Sequence, residues 1–368
     1  MQELIQVIEE VYKNWKGTEP SSIDILPLSG SERRYFRIHE QGGNTVIATF
    51  GLNVRENQTF VYFARLFKDK LLPVPEIFAV NDEYTAYLQE DVGNISLLNI
   101  LETEGYSPVV YNLFKESLSS LARLQVLGDQ DLDYNQCLTN KEFGKQAIMA
   151  DLLYFKFYFL DALRKPYDKQ KLIDDFEALS NYLTHTEFKY FMFRDFQSRN
   201  ILVNEGQVYF IDFQGGMKGA PQYDVASIIW QAKANLPDDW KQGLLEDYMD
   251  SFETIIGKEL DRTTFRSQYN GYVLIRLLQV LGAYGFRGLF ERKSHFLTSI
   301  PQALKNLKMF IEEHSLGITV TEFKRVLDLC VDDEVIQKFT PIQASESTPL
   351  VVKICSFSYK RGLPEDTT

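Results

Sequence analysis

Between Phe191 and Phe213 the chain reads FMFRDFQSRNILVNEGQVYFIDF, and few local folds accommodate that pattern. Two short apolar runs, Ile201–Val203 and Val208–Ile211, flank the turn-rich gap Asn204–Glu205–Gly206. Such a gap between short apolar runs reads as a β-hairpin. The hairpin would bring Asn200, at the entry to one strand, close to Asp212, at the exit of the next. Asp195 stands just ahead on a loop. Phosphoryl transfer needs this set: one carboxylate to orient and deprotonate a hydroxyl, and an Asn with a second Asp to hold magnesium on phosphates. Acidic residues at strand ends are more often solvated turn residues, and a D-x-x-x-x-N spacing arises by chance. Here spacing, hairpin and terminal Asp all agree.

The chain has 368 residues, enough for two lobes with substantial cores. An apolar content of 45% with 24% charged residues belongs to a globular protein. The net charge of −12 argues against a general nucleic-acid binder, which would show a basic footprint. Cys137, Cys330 and Cys355 are far apart, with no metal spacing, and read as free thiols in a reducing compartment. The histidines His39, His185, His295 and His314 are scattered and read as surface or packing residues. Met1–Glu10 lacks a basic region followed by an apolar core, so no signal peptide is expected. The longest apolar stretch, Tyr272 to Phe286, is interrupted by Arg276 and Gln279 and is too short to span a bilayer. These features point to a soluble, cytoplasmic protein without a membrane partner.

In chain order, Leu4, Ile5, Ile8, Val11, Tyr12 and Trp15 recur at helical spacing. A short strand is expected at Ile23–Leu28, then paired strands at Tyr35–Ile38 and Val46–Phe50. Arg33, Arg34 and Arg37 follow the turn Ser29–Gly30–Ser31 and could pair bidentately with phosphate, or form a solvated strand edge. No Walker A sequence occurs. Phe60, Phe63, Ala64 and Phe67 mark a helix with an aromatic face packed on the sheet. Glu56 near its start could orient a phosphate-binding arginine; favouring the helix N-terminus is the commoner role. Glu76–Val80 and Tyr84–Gln89 read as a hairpin. Helices are expected at Val109–Leu127, Lys141–Leu163 and Leu172–Leu183, with the aromatics of the second mainly in the core. After Asp212, the glycines at 215, 216 and 219 suggest a flexible loop facing substrate. Helices follow near Tyr223, Asp239–Ile256, Thr263–Arg287, Phe296–Glu313 and Thr321–Cys330.

Asp195, Asn200 and Ile211–Asp212–Phe213 resemble the catalytic loop and metal-binding Asp of the aminoglycoside phosphotransferase-like branch of the protein kinase fold. Three segments are similar to the bacterial cell-wall sugar 1-kinases, which phosphorylate N-acetylmuramate and N-acetylglucosamine at the anomeric hydroxyl. They are Ser31–Arg37, Arg194–Asn200 and Ile211–Gln214 with Tyr223–Asp224, and the likeness covers about residues 1–315. The resemblance implies an α+β, bilobal protein-kinase-like fold. A small N-terminal lobe with an antiparallel sheet would span 1–92, and a larger, mostly helical C-terminal lobe 93–339. It implies ATP and Mg2+ as cofactors, with Asp195 as the base and Asn200 and Asp212 on the metal. Ser31, Arg33, Arg34 and Arg37 would face the phosphates, and Glu90 to Val92 would form the hinge that meets adenine. Asp151, Gln197 and Arg199 become acceptor contacts, and Asp224 a buttress of the catalytic loop. Two departures stand out. Phe193 occupies the place of a scaffold His. The third strand lacks the kinase Lys, since no lysine lies between Lys16 and Lys68. The sugar kinases lack that Lys too, which leaves phosphate neutralisation to arginine and magnesium.

The expected function is ATP-dependent phosphorylation of the anomeric hydroxyl of an N-acetylated amino sugar, in cell-wall sugar recycling. One alternative is a kinase for an aminoglycoside or another small molecule, since acceptor choice lives in the helical lobe. N-acetylmuramate carries a carboxylate and would want a cation, for which Lys145, Lys156 and Arg164 are available. The other alternative is a pseudokinase that senses a sugar or nucleotide. Residues 340–349 read as a linker, and 350–368 as the start of a second domain. Ser356–Pro364 resembles the opening of the C-terminal domain of the RNase adapter protein family, which implies a truncated fusion.

Overall fold

The computed structural model describes residues 2–27 and 32–340. Ser31, expected to face the phosphates, and residues 341–368 lie outside the described residues. The opening helix α1 (Gln2–Lys16) buries Ile8, Val11 and Tyr12. Five strands form an antiparallel sheet in the order β1-β2-β3-β5-β4. They are β1 (Ser22–Ile25), β2 (Arg34–His39), β3 (Thr45–Phe50), β4 (Ile77–Val80) and β5 (Ala86–Glu90). Phe36, Ile38, Val46, Ala48, Ala86 and Leu88 form one core with the buried face of α1. Side chains alternate along a strand, so Tyr35, Arg37, Ile47, Thr49, Tyr87 and Gln89 face the other way.

That second face meets α2 (Val54–Asp69), whose first turn is capped by the Asn53 side chain accepting from the Glu56 N–H at 3.2 Å. The aromatic stripe of α2 packs on the sheet, as expected, but also on the catalytic stretch. Phe60 stacks on Tyr87 at 5.3 Å and on Phe213 at 4.7 Å. Phe67 meets Phe191 edge-on at 4.9 Å. The helix that covers the sheet thus also anchors the residue after Asp212.

The chain then becomes helical through α3 (Leu97–Glu104), α4 (Pro108–Asp129), α5 (Lys145–Phe155), α6 (Asp161–Leu163) and α7 (Lys169–Thr184). Four short strands follow: β6 (Tyr190–Met192), β7 (Ile201–Asn204), β8 (Gln207–Phe210) and β9 (Met217–Gly219). The expected hairpin is β7–β8, with Ile201 opposite Phe210 and Asn204 opposite Gln207. The segment after Asp212 departs from expectation. Instead of a flexible loop, β9 pairs with β6, and Gly216, Met217 and Gly219 are buried. A Cβ on Gly216 would sit 2.3 Å from Phe191 Cζ, so this glycine permits close packing.

The remaining helices are α8 (Gln222–Ile229), α9 (Asp238–Ile256), α10 (Arg262–Tyr284), α11 (Ser294–Leu297), α12 (Ile300–Glu313), α13 (Thr321–Cys330) and α14 (Asp333–Phe339). The helix expected over Phe296–Glu313 is two helices. Pro301 stands in the first turn of α12, where its missing N–H has no intrahelical partner to lose. A helical stretch, Arg262–Phe290, is long and apolar enough by length and composition to cross a membrane, yet 56% of its most apolar window is buried inside the protein. Val273, Leu274, Ile275, Leu278 and Leu281 sit in the main core.

Both α5 and α10 run on into π-helical turns, Lys156–Leu160 and Gly285–Phe290. The two turns touch, because a Cβ on Gly285 would lie only 2.3 Å from the Tyr158 carbonyl oxygen. Gly285→Val should therefore cost about 1–3 kcal/mol, read as a lower urea midpoint with an unchanged slope. A variant within about 0.5 kcal/mol of the parent would show that this approach does not constrain the fold.

Candidate active site

The catalytic loop hangs from a buried carboxylate. Asp224 in the first turn of α8 is fully enclosed. Its Oδ2 accepts the Phe193 N–H at 2.8 Å and its Oδ1 the Arg194 N–H at 2.9 Å. Gln125 of α4 donates to it at 3.0 Å and is itself held by the Tyr248 hydroxyl. Burial pushes the Asp224 carboxyl up to about 6, against the hydrogen bonds that pull it down. Phe193 is buried among Phe196, Phe210 and Phe213, so the side chain that stands in place of the family His is a packing group.

Arg194 adopts a positive φ of 80° and turns the chain toward Asp195. Its guanidinium grips Asp151 of α5 through two hydrogen bonds, at 3.0 and 3.1 Å, and donates to the Tyr223 hydroxyl at 2.8 Å. Burial alone would depress this guanidinium, and the neighbouring Tyr223 and Asp151 more than offset that. Asp151, expected at the acceptor, is thus the partner of Arg194, and its charge is neutralised. Bidentate geometry and low exposure make this pair a fixed strut of the loop.

The three residues predicted from the hairpin come together. Asn200 Nδ2 donates to the Asp195 backbone carbonyl at 2.9 Å and lies 3.4 Å from Asp212 Oδ2. With the amide nitrogen so engaged, Asn200 Oδ1 is left for a cation. Asp212 has a positive φ of 70°, an uncommon conformation that Asp tolerates better than most residues. Among the described residues no cluster of three His, Cys, Asp or Glu side chains could hold a metal by itself. Two hard oxygen donors, with the rest from water and phosphate, suit magnesium.

The three arginines near β2 separate. Arg33 is 5% exposed and lies on the α2 side, with Nη2 2.5 Å from Glu56 Oε1. That contact is close but not aligned as a hydrogen bond, and Arg33 Nε has no acceptor among the described residues. Glu56 also meets Gln214 Nε2 at 3.3 Å, and Gln214 donates to Asp212 Oδ1 at 2.8 Å. A polar chain thus runs from Arg33 to Asp212. The role judged commoner for Glu56, favouring the helix end, is joined by the other one: it orients an arginine. Arg37 is tied to Asp91 at 2.6 Å, and Asp91 also accepts from Thr45 and from the Gly93 N–H. These bonds outweigh burial and hold Asp91 below its ordinary carboxylate range. Arg37 therefore braces the hinge. Arg34 shares the strand face of Phe36 and Ile38, away from Arg33.

At the hinge, Val92 is buried, and the Glu90 side chain is engaged by Lys68 at 2.8 Å and by the Glu76 N–H. Both bonds fall on Glu90 Oε2, and the Glu90 backbone N–H donates to the Glu76 carbonyl at 2.9 Å. Ser198 is fixed by Gln231, while Gln197 supplies its backbone carbonyl to the Asn200 N–H at 2.8 Å. Arg199 is exposed beside this turn. Opposite stands a residue that the sequence did not single out. Arg276, nearly enclosed in α10, points Nη2 at Asp195 Oδ1 over 3.5 Å and donates from Nη1 to Gln279. The signal was present: Arg276 and Gln279 are the two residues that interrupt the apolar stretch Tyr272 to Phe286. Lys145 and Lys156, considered as acceptor cations, pair instead with Glu177 and Asp161.

The model of the phosphotransferase enzyme family matches residues 24–258, which is more than half of the chain. The protein belongs to that family. It is a phosphotransferase, and use of a nucleoside triphosphate goes with the family. Among curated relatives, an N-acetylmuramate/N-acetylglucosamine kinase of Pseudomonas putida is 24% identical over 296 residues, 78% of this chain and 83% of the relative. A kinase of the same description from Pseudomonas aeruginosa is 22% identical, over 65% of this chain and 68% of its own. A choline/ethanolamine kinase family protein from Mesorhizobium loti shares the fold, with a TM-score of 0.57 at 13% identity, covering 89% of this chain and 99% of its own. An amicoumacin kinase in complex with AMP-PNP and Ca2+ has a TM-score of 0.55 at 11% identity, covering 93% and 98%. The phosphotransferase fold is thus the bilobal, protein-kinase-like one expected.

Asp224→Asn would replace one acceptor oxygen with a donor and leave a loop N–H unpaired. The expected cost is about 1–3 kcal/mol of stability, together with lower turnover. The wild type also carries a pH signature. Because the folded Asp224 carboxyl titrates near 6 rather than 3.8, the native state binds its proton more tightly than the unfolded chain. Stability from this group is therefore greatest below pH 4 and declines as pH rises to 6, by roughly 2–3 kcal/mol in all. Urea midpoints across that range should show the decline in wild type and lose it in the Asn variant; parallel curves would refute the assignment.

Proposed function

We propose that this phosphotransferase moves the γ-phosphoryl group of ATP to the anomeric hydroxyl of an N-acetylated amino sugar, N-acetylmuramate or N-acetylglucosamine, as in cell-wall sugar recycling. The observation that carries the reading is the convergence of Asp195, Asn200 and Asp212 at one end of the β7–β8 hairpin. The names of the two curated relatives support the choice of acceptor.

Asp195 is half exposed, on a loop whose backbone is pinned on both sides, so its carboxylate can meet an incoming hydroxyl. It orients that hydroxyl and takes its proton as the oxygen attacks phosphorus. Asn200 Oδ1 and the Asp212 carboxylate would hold magnesium, which when bound neutralises and orients the phosphates. Arg33 takes the part of the missing strand Lys: its buried Nε and Nη2 lack aligned acceptors among the described residues, and Glu56 fixes its direction. The backbone of Glu90 to Val92 meets the adenine edge, and Gln197 and Arg199 lie toward the acceptor. Positioning and charge neutralisation supply most of the rate, since the transition state is loose.

The same site disfavours a cationic acceptor. Asp151 is neutralised by Arg194, and the enclosed Arg276 guanidinium stands 3.5 Å from the Asp195 carboxylate. An aminoglycoside or choline-like amine would meet repulsion there, whereas the carboxylate of N-acetylmuramate would not.

Kinetics with N-acetylmuramate, N-acetylglucosamine, kanamycin and choline test the reading. Asp195→Asn should lose turnover by about 10²–10⁴-fold with nucleotide affinity largely kept. Arg33→Ala should weaken ATP binding at least tenfold, while Arg34→Ala should change it little. Turnover of Asp195→Asn within about tenfold of wild type would exclude Asp195 as the base. ATP binding without transfer to any acceptor would favour a sensing role.

A further inference from the structure

Arg276 is an expensive residue for its position. It sits in the apolar second half of helix α10 with a side chain only 7% exposed. A buried guanidinium loses much hydration and persists only where partners or function compensate. Its partners are few. Nη1 donates to Gln279, the guanidinium carbon lies 6.0 Å from the Tyr223 ring centre, and Nη2 stands 3.5 Å from Asp195 Oδ1. The last contact is at the outer limit of a hydrogen bond. Arg194, one residue before Asp195, has the opposite character: three close hydrogen bonds bind it to Asp151 and Tyr223.

The Asp195 backbone is fixed by Asn200, but its carboxylate has Arg276 as its only side-chain hydrogen-bond partner among the described residues. We infer that Arg276 is a positioning residue for phosphoryl transfer, reaching from α10 to select the Asp195 rotamer that faces the acceptor hydroxyl. This rests on Asp195 being the base. The contact is loose in the free protein and shortens when the acceptor displaces water from Asp195, since catalytic hydrogen bonds commonly tighten only in the reactive complex. Small misplacements of a reacting group cost turnover steeply, so a residue that never touches phosphate can still set the rate. Gln279, one turn along α10, holds the guanidinium from behind.

The test compares Arg276→Met, Arg276→Lys, Asp195→Asn and the Arg276→Met/Asp195→Asn double variant. ADP release is followed with N-acetylmuramate and with water alone, beside melting curves. Met keeps the apolar packing of α10. The expected result for Arg276→Met is a 10–100-fold lower kcat with KM for ATP within about twofold and an unchanged melting temperature. Lys should recover part of the loss. Added methylguanidinium should rescue Arg276→Met but not Asp195→Asn. The double variant should be no slower than Asp195→Asn alone. Turnover of Arg276→Met within threefold of wild type, beside an inactive Asp195→Asn, would overturn the inference and leave the base intact. Equal losses in kcat, ATP affinity and melting temperature, without rescue, would overturn it in favour of a packing role. An active Asp195→Asn would remove the base and this inference with it.

Discussion

Two backbone N–H groups bound by one buried carboxylate hold the active site together. Asp224 is fully enclosed, and it fixes the backbone at Phe193 and Arg194, just ahead of Asp195. A carboxylate is suited to this because it accepts from several donors at once, and burial strengthens each bond. Gln125, the two N–H groups and the neighbouring Arg194 offset only part of the cost of enclosing it, and the remainder shows in its raised pKa. With the loop so fixed, Arg194 is free to reach back to Asp151 and clamp the loop to α5. The positive φ at Arg194 is the strain that this arrangement sustains.

The second organising device links the sheet to the hairpin. Helix α2 presents two faces to this task. Its aromatic face seats Phe213, and its first turn places Glu56 between Arg33 and Gln214. A shift of the sheet relative to the helical lobe would therefore be felt at Asp212. The protein kinase pattern uses a strand Lys paired with a helix Glu for this purpose. Here Thr49 is buried and small on that side of β3, and the cation beside the helix Glu56 is Arg33, just ahead of the neighbouring strand.

Much of this was legible in the residues. The hairpin, the paired strands and the long helices follow local periodicity, and Asp195, Asn200 and Asp212 meet because a two-stranded turn dictates it. Contacts between distant segments were not legible. Asp151 looked like an acceptor contact because nothing local reveals that Arg194 would take both its oxygens. Arg33, Arg34 and Arg37 looked alike in sequence, and strand alternation sends the middle one to the opposite face. The glycines after Asp212 suggested mobility, but Gly216 and Gly219 permit close packing of β9 on β6. Arg276 and Gln279 were visible as interruptions of an apolar helix. Their meaning depends on which loop that helix faces, and periodicity carries no such information.

The most direct measurement of the central claim is phosphorus NMR of the protein with ATP, magnesium and N-acetylmuramate or N-acetylglucosamine, with the Asp195→Asn variant run beside it. The account predicts a sugar 1-phosphate signal that grows as ATP is consumed and is absent in the variant. Phosphate appearing on another hydroxyl, or a signal that persists in the variant, would contradict the assignment of acceptor position or base. Failure to bind ATP would contradict the site as a whole.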